Sequence, residues 1–246
     1  MVKISSKVQK PDSDLNMEDH IVSKKRVADH GEVYTRKREV DAMLDLVKQE
    51  TERIESRFLE PACGTGNFLA EILERKLNVV ESRYKRSQLE YERYAVLAVS
   101  SIYGIDILPD SADECRKRLL NIFDRKYTQI FKNKAKDECR DAVRFILNLN
   151  IIHGDALTLQ TVSENPQPIV FSEWSPVKGS MFKRRDFAFH ELLKDMNNKT
   201  KQAAPLFSDN ETKESRFNSD LGKDVFIPTP IKDYPLTHFL KVGNVD

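Results

Sequence analysis

The stretch FLEPACGTGNF, Phe58 to Phe68, constrains the fold more than any other part of the chain. A short apolar run stops at Pro61, glycines follow at positions 64 and 66, and apolar residues then recur at Leu69, Ile72, Leu73 and Leu77 with helical spacing. The predicted order is strand, glycine turn, helix, with Asn67 as the N-cap. Glycines at such a turn let the backbone approach a ligand closely, and the free amides of the helix start are aimed at it. A dinucleotide site would carry a third glycine where this chain has Leu69, so that reading loses its main support.

The flanking chain follows the same grammar. HGEVYTRKREVDAMLDLVKQE reads as a turn and a helix, with Thr35 placed to cap it and Val40, Met43, Leu44 and Val47 on one face. QLEYERYAVLAVSS is helical, and IYGIDI is a buried strand. A helix from Asp110 turns Cys115, Leu119, Ile122 and Phe123 inward; ECRDAVRFILNLN is a further helix, NIIHGDAL a strand edge and PIVFSEW a fourth strand. This alternation predicts an open, mostly parallel α/β sheet with ligands at the carboxyl ends of its strands. Residues 1–16 are polar and expected to be mobile, and 17–194 form the folded domain. Residues 195–223 lack apolar periodicity and read as a flexible linker or loop, and 224–246, with three prolines, as an extended tail docking on the domain.

Composition narrows the class. With 39% hydrophobic and 32% charged residues the chain reads as soluble, and no run approaches the roughly eighteen apolar residues of a membrane span. The N-terminus lacks the apolar centre of a signal peptide, so the cytoplasm is the expected compartment and no membrane partner is expected. A net charge of +1 leaves any nucleic-acid partner to local patches. Cys63, Cys115 and Cys139 have no metal-ligand spacing; they are read as reduced, packed thiols, and no metal is expected.

The motifs in order resemble the adenine-specific DNA methyltransferases of restriction-modification systems, which use S-adenosylmethionine. EPACGTGNF is similar to their cofactor motif, HGEVYT to the element preceding it, and YGIDI and HGDAL to the next two cofactor elements. The resemblance covers Asp29 to about Leu157. It implies a doubly wound, Rossmann-like class I methyltransferase fold with S-adenosylmethionine as cofactor and DNA as partner. By position, Gly64 and Gly66 would shape the turn under the methionine part, following Pro61, with Glu60 near its ammonium group. Tyr34 and Thr35 would sit by the carboxylate, and Asp106 would accept the ribose hydroxyls. Asp155 would take the adenine amine, with Ile107 or Phe68 against the ring. Read alone, Asp106 also fits a strand-end cap, Asp155 a plain turn, and Tyr34 and Thr35 a core contact and a helix cap.

Two departures stand out. The family's YTP is here Tyr34-Thr35-Arg36, followed by Lys37 and Arg38, cations that oppose the dipole of a helix start. The family's target signature, Asn or Asp, Pro, Pro, aromatic, occurs nowhere in the chain. The nearest text is FSEWSPV, where Trp174, Ser175 and Pro176 are either a degenerate target site or a core strand and turn. Lys178, Lys183, Arg184 and Arg185, interleaved with Met181, Phe182 and Phe187, suit phosphate contact or a solvated face. The expectation is a methyltransferase, or a methyltransferase-like subunit acting with a companion chain; the alternative is a cofactor-binding partner weak or inactive in catalysis.

Overall fold

The computed structural model describes residues 35–193, 216–218, 224–226 and 228–244. Tyr34 and the expectations for residues 1–16 and 195–223 lie outside the described residues. The chain divides into a unit Met1–Arg36 and a unit Lys37–Asp246, and the second holds every element below.

Helices α1 (Lys37–Asp45) and α2 (Lys48–Thr51) precede strand β1 (Phe58–Glu60). Val40 and Leu44 are buried, whereas Met43, within α1, and Val47, beyond its end at Asp45, were predicted on the same face and are exposed. After the glycine turn come α3 (Asn67–Tyr84), α4 (Gln88–Ser100) and β2 (Ile102–Asp106), then α5 (Pro109–Phe131), α6 (Asp137–Asn150) and β3 (Ile151–Asp155). The predicted inward stripes hold: Leu69, Ile72, Leu73 and Leu77 on α3, and Cys115, Leu119, Ile122 and Phe123 on α5, are all buried. Pro109 starts α5, where its missing N–H costs nothing, and Ser87 caps α4 by accepting from the Glu90 amide.

β1, β2 and β3 are parallel and adjacent in that order, with Glu60 opposite Gly104 and Asp106 opposite His153; β4 (Gln160–Thr161) adds to β3 antiparallel. The protein is thus α/β with a mixed sheet. A sheet that grows in one direction through right-handed crossovers carries its connecting helices on one face. The core agrees: residues of α3 to α6 gather with Ile102 and Ile151, while Tyr103 and Ile105, alternating to the other face, pack with Ile169, Phe171 and Phe189. A second winding would need a strand on the outer edge of β1, and among the described residues β1 pairs with β2 alone.

The strand predicted at PIVFSEW exists as β5 (Val170–Pro176) but joins a different sheet. It forms an antiparallel hairpin with β6 (Met181–Ala188), turning at Gly179 with φ +65°. β7 (Arg216–Asn218) and β8 (Asp224–Phe226) make a separate pair. β9 (Lys232–Asp233) and β10 (Thr237–His238) add to β6, and a 3₁₀ helix, Phe239–Asn244, drives Phe239 and Val242 into the core beside α6. The described part of the tail ends in that helix, where an extended segment was expected. No helix among the described residues is long and apolar enough to cross a membrane.

Candidate cofactor site

The glycine turn sits at the carboxyl end of β1. Gly64 and Gly66 adopt φ +51° and +83°, left-handed values that glycine takes without a Cβ penalty. Gly66, not Asn67, is the N-cap of α3. The amide of Asn67 is turned to another use: its Oδ1 accepts from Arg118 of α5 at 2.6 Å, and Arg118 also reaches the Thr65 carbonyl at 3.5 Å. Arg118 was not singled out in the sequence, because a cation on a polar helix face carries no signal of what it reaches.

A Cβ built on Gly64 would meet no atom within 4 Å, so the backbone there faces open space; one built on Gly66 would lie 2.6 Å from the Cys115 sulfur. The first glycine therefore leaves room in front of the turn, and the second permits α5 to pack behind it. Asp106 ends β2 beneath this turn and is almost buried. Its Oδ2 accepts from the Gly64 amide at 2.7 Å and its Oδ1 from the Leu108 amide at 2.9 Å. It is a strand-end cap and a brace for the turn together. A carboxylate offers about four acceptor sites, so two backbone donors leave capacity for a ligand hydroxyl.

Glu60 has no hydrogen-bond or ion-pair partner among the described residues, and burial raises its carboxyl above the usual range. An unpaired, half-buried acid at this place suits a cationic group. Asp155, two residues beyond the position opposite Asp106, makes the turn that its residue type allows: Oδ1 accepts from the Leu157 amide at 2.8 Å, which lowers its carboxyl. His153 Nε2 lies 3.0 Å from the Ile107 carbonyl and ties the ends of β2 and β3 together. Ile107 is 49% exposed at this rim, whereas Phe68 packs against the main core, so Ile107 presents the freer apolar surface. Glu60, Pro61, Gly64, Gly66, Asp106, Ile107 and Asp155 thus converge at one end of the sheet; Thr35 lies in the other unit, two residues before α1.

The downstream residues do not join them. Trp174 is 5% exposed, edge-on to Phe145 of α6 at 6.3 Å, and its Nε1 has no partner. Stacking on a base would require this core to open. Ser175 Oγ donates to Glu173 at 3.0 Å, and Pro176 ends the strand opposite Phe182. Arg184 is buried because the run KRRD alternates across β6: its Nε and Nη2 donate to Asp186 at 3.0 Å each, and its guanidinium lies 4.0 Å from the centre of the Tyr234 ring. Ser172 and the Tyr234 hydroxyl complete the bonds to Asp186. Lys183 donates to the Tyr234 carbonyl and pairs with Asp233, Arg185 lies 3.8 Å from Glu173, and Lys178 stands exposed in the hairpin turn. A cavity of about 220 Å³ lies apart from the glycine turn, between β1 and the hairpin, lined by Phe58, Tyr103, Phe171 and Phe187 with the Arg57–Glu173 pair at 2.6 Å.

Among protein-family models, that of the MmeI DNA-methyltransferase domain matches residues 34–170, more than half of the chain. The match ends at the first residue of β5, before Trp174 and the basic run. No curated protein and no solved structure matches.

Proposed function

We infer a function from one premise: the chain belongs to the MmeI DNA-methyltransferase domain family, and so to the DNA methyltransferases of restriction-modification systems. The reading is an S-adenosylmethionine-binding methyltransferase chain that acts on an adenine amine of DNA, in the arrangement of the class I methyltransferases. The observation that carries it is the convergence of an unpaired Glu60, an open Gly64 and a braced Asp106 at the carboxyl ends of adjacent parallel strands. This is where open α/β sheets bind ligands.

The residues fit the cofactor by chemistry. Glu60 would face the ammonium group, the Gly64 backbone would admit the methionine part, Asp106 would accept from the ribose and Ile107 would cover the adenine. Tyr34, Thr35 and Asp155 complete the assignment proposed from the motifs. When bound, the cofactor supplies an electrophilic methyl group on a sulfonium. Activation of a target amine needs acceptors that hold its protons and its lone pair in line with that methyl group. The chain has no Asn-Pro-Pro-aromatic segment, and Trp174 is buried. That favours, for the methyltransferase reading, a subunit whose target site is completed by a companion, and leaves a cofactor-binding partner weak or inactive in catalysis as the alternative; Ser175 and Pro176 at the end of β5 remain the proposed target elements should the chain act alone, with Lys178, Lys183 and Arg185 as the cations nearest solvent for phosphate contact.

Calorimetry with S-adenosylmethionine, S-adenosylhomocysteine and NAD tests the cofactor. The first two bind and NAD does not. Asp106→Asn, which keeps one carbonyl acceptor for the turn, weakens binding by about 1.5–3 kcal/mol, the scale of a hydrogen bond involving a charged group. Unchanged affinity removes the ribose assignment. Tritiated methyl transfer to mixed genomic DNA is expected to be weak or nil with the isolated chain, and efficient site-specific transfer by it alone would refute the companion reading.

A further inference from the structure

Behind the glycine turn lie two thiols to which the proposed function gives no role. Cys63 precedes Gly64, Cys115 is on α5, and both are free and buried. The neighbouring Cys115 thiol, burial and the carboxylates of Asp106 and Glu60 raise the Cys63 thiol well above the usual thiol range. The backbone holds Cys63 in place. Cys63 N donates to the Ile105 carbonyl at 2.9 Å, and Gly66 N donates to the Cys63 carbonyl at 2.8 Å. A Cβ at Gly104 of β2 would lie 3.0 Å from the Cys63 sulfur, and one at Gly66 would lie 2.6 Å from the Cys115 sulfur. The Cys63 sulfur thus lies against β2 beside Leu69, and the Cys115 sulfur lies against the turn from α5. Cys139 is equally buried on α6, where burial and the charge of Glu92 raise its thiol.

We propose that Cys63 and Cys115 are a redox-modification site: a peroxide joins them in an intramolecular disulfide that deforms the glycine turn. One thiolate attacks a peroxide oxygen, the O–O bond breaks, and a sulfenic acid and one water result. The second thiolate attacks the sulfenic sulfur, the S–S bond forms, and the departing hydroxide takes up the remaining proton as a second water. Two thiols are oxidised and one hydrogen peroxide is reduced to two waters. Because the thiols are buried, the reaction proceeds through transient opening of the turn. Closing thiol contact to a bond of about 2.05 Å draws Cys63 toward α5 and loosens the Gly64 bond to Asp106. The consequence for cofactor affinity rests on the function proposed above; the bond itself does not.

The full-length chain is treated with hydrogen peroxide, its remaining thiols are blocked under denaturing conditions, and peptides are mapped without reduction. The expected product links the peptides of Cys63 and Cys115, has lost two hydrogen atoms, leaves Cys139 blocked, and reverts with dithiothreitol. Cys115→Ala and, independently, Cys115→Ser form no such link. Recovery of both thiols unlinked, or linkage of Cys139 instead, overturns the proposal. Amide exchange of Gly64 and Gly66 rises about tenfold in the linked form, as a turn with lower opening free energy requires; unchanged exchange overturns the deformation. In parallel, S-adenosylmethionine binds the reduced chain and binds the linked chain about tenfold more weakly. A reduced chain that binds none overturns the cofactor assignment, while linkage and exchange still decide the redox site.

Discussion

A methyl group added at Gly64 and one added at Gly66 meet different surroundings, and the difference separates stability from binding. Either change places alanine at positive φ, at about 1–2 kcal/mol. At Gly66 the new carbon also overlaps the Cys115 sulfur at 2.6 Å, which adds about 1–3 kcal/mol. Denaturant unfolding of the two variants is expected to rank Gly66→Ala well below Gly64→Ala, while Gly64→Ala loses cofactor affinity by projecting into the open site; equal stabilities would contradict the packing. Lys76 is a second case. It is fully buried, donates to the carbonyls of Ile54 and Ser56 and to Ser101 Oγ, and burial pushes its ammonium down to about 7 against the pull of Glu55 and Glu50. An unfolded lysine titrates near 10.4, so above about pH 7 the unfolded chain binds more protons and stability rises with pH by at most ~1.4 kcal/mol per unit. The neighbouring Cys115 and burial raise the Cys63 thiol, and burial raises the Cys139 thiol and the hydroxyls of Tyr91, Tyr103 and Tyr127; these contribute with the opposite sign above about pH 8 for the thiols and about pH 9–10 for the hydroxyls, so the window is roughly pH 7–8. Lys76→Met should flatten that slope, and an unchanged slope would assign the titration elsewhere. The glycines were legible in the sequence because their residue type restricts what the turn can be. Lys76 and Arg118 were not, since their roles depend on carbonyls brought near by tertiary packing.

The hairpin of β5 and β6 shows where reading by element succeeds and where it stops. Helices α3, α5 and α6 followed from apolar spacing, because each buries one stripe, and strands β1 to β3 from short apolar runs bounded by turns. KGSMFKRRDF suits phosphate contact or a solvated face by composition, although it alternates with period two and places Phe182, Arg184 and Asp186 inward. The inward charges pair with each other, which composition cannot reveal. Trp174 belongs to the same inner face, opposite Arg184. Trp174→Ala is expected to cost about 3–5 kcal/mol of stability, as large-to-small core changes do, and to lower cofactor binding and methyl transfer only as the folded fraction falls. Trp174→Phe should cost far less, since the indole Nε1 has no partner to lose. A Trp174→Ala protein with unaltered stability and lost methylation would restore the base-stacking role.

At the scale of the molecule, the core is closed by residues distant in sequence: Phe239 and Val242 join the cluster of α3 to α6, and Gly243 lies against Phe145 of α6. Deleting residues 237–246 removes two buried apolar side chains, about 1.5–3 kcal/mol each, and the strand that pairs with the start of β6. Denaturation and binding of an apolar dye should report a less stable chain with exposed surface; native stability without that segment would show that it only decorates the fold. The order β1, β2, β3 has a consequence during synthesis as well. Each of these strands pairs with the one made just before it, so this sheet can assemble strand by strand as the chain leaves the ribosome. The seam along α6 has no such neighbour in time. Its apolar side stays uncovered until residues 237–244 emerge, and in that interval the nascent chain presents the kind of surface that chaperones hold.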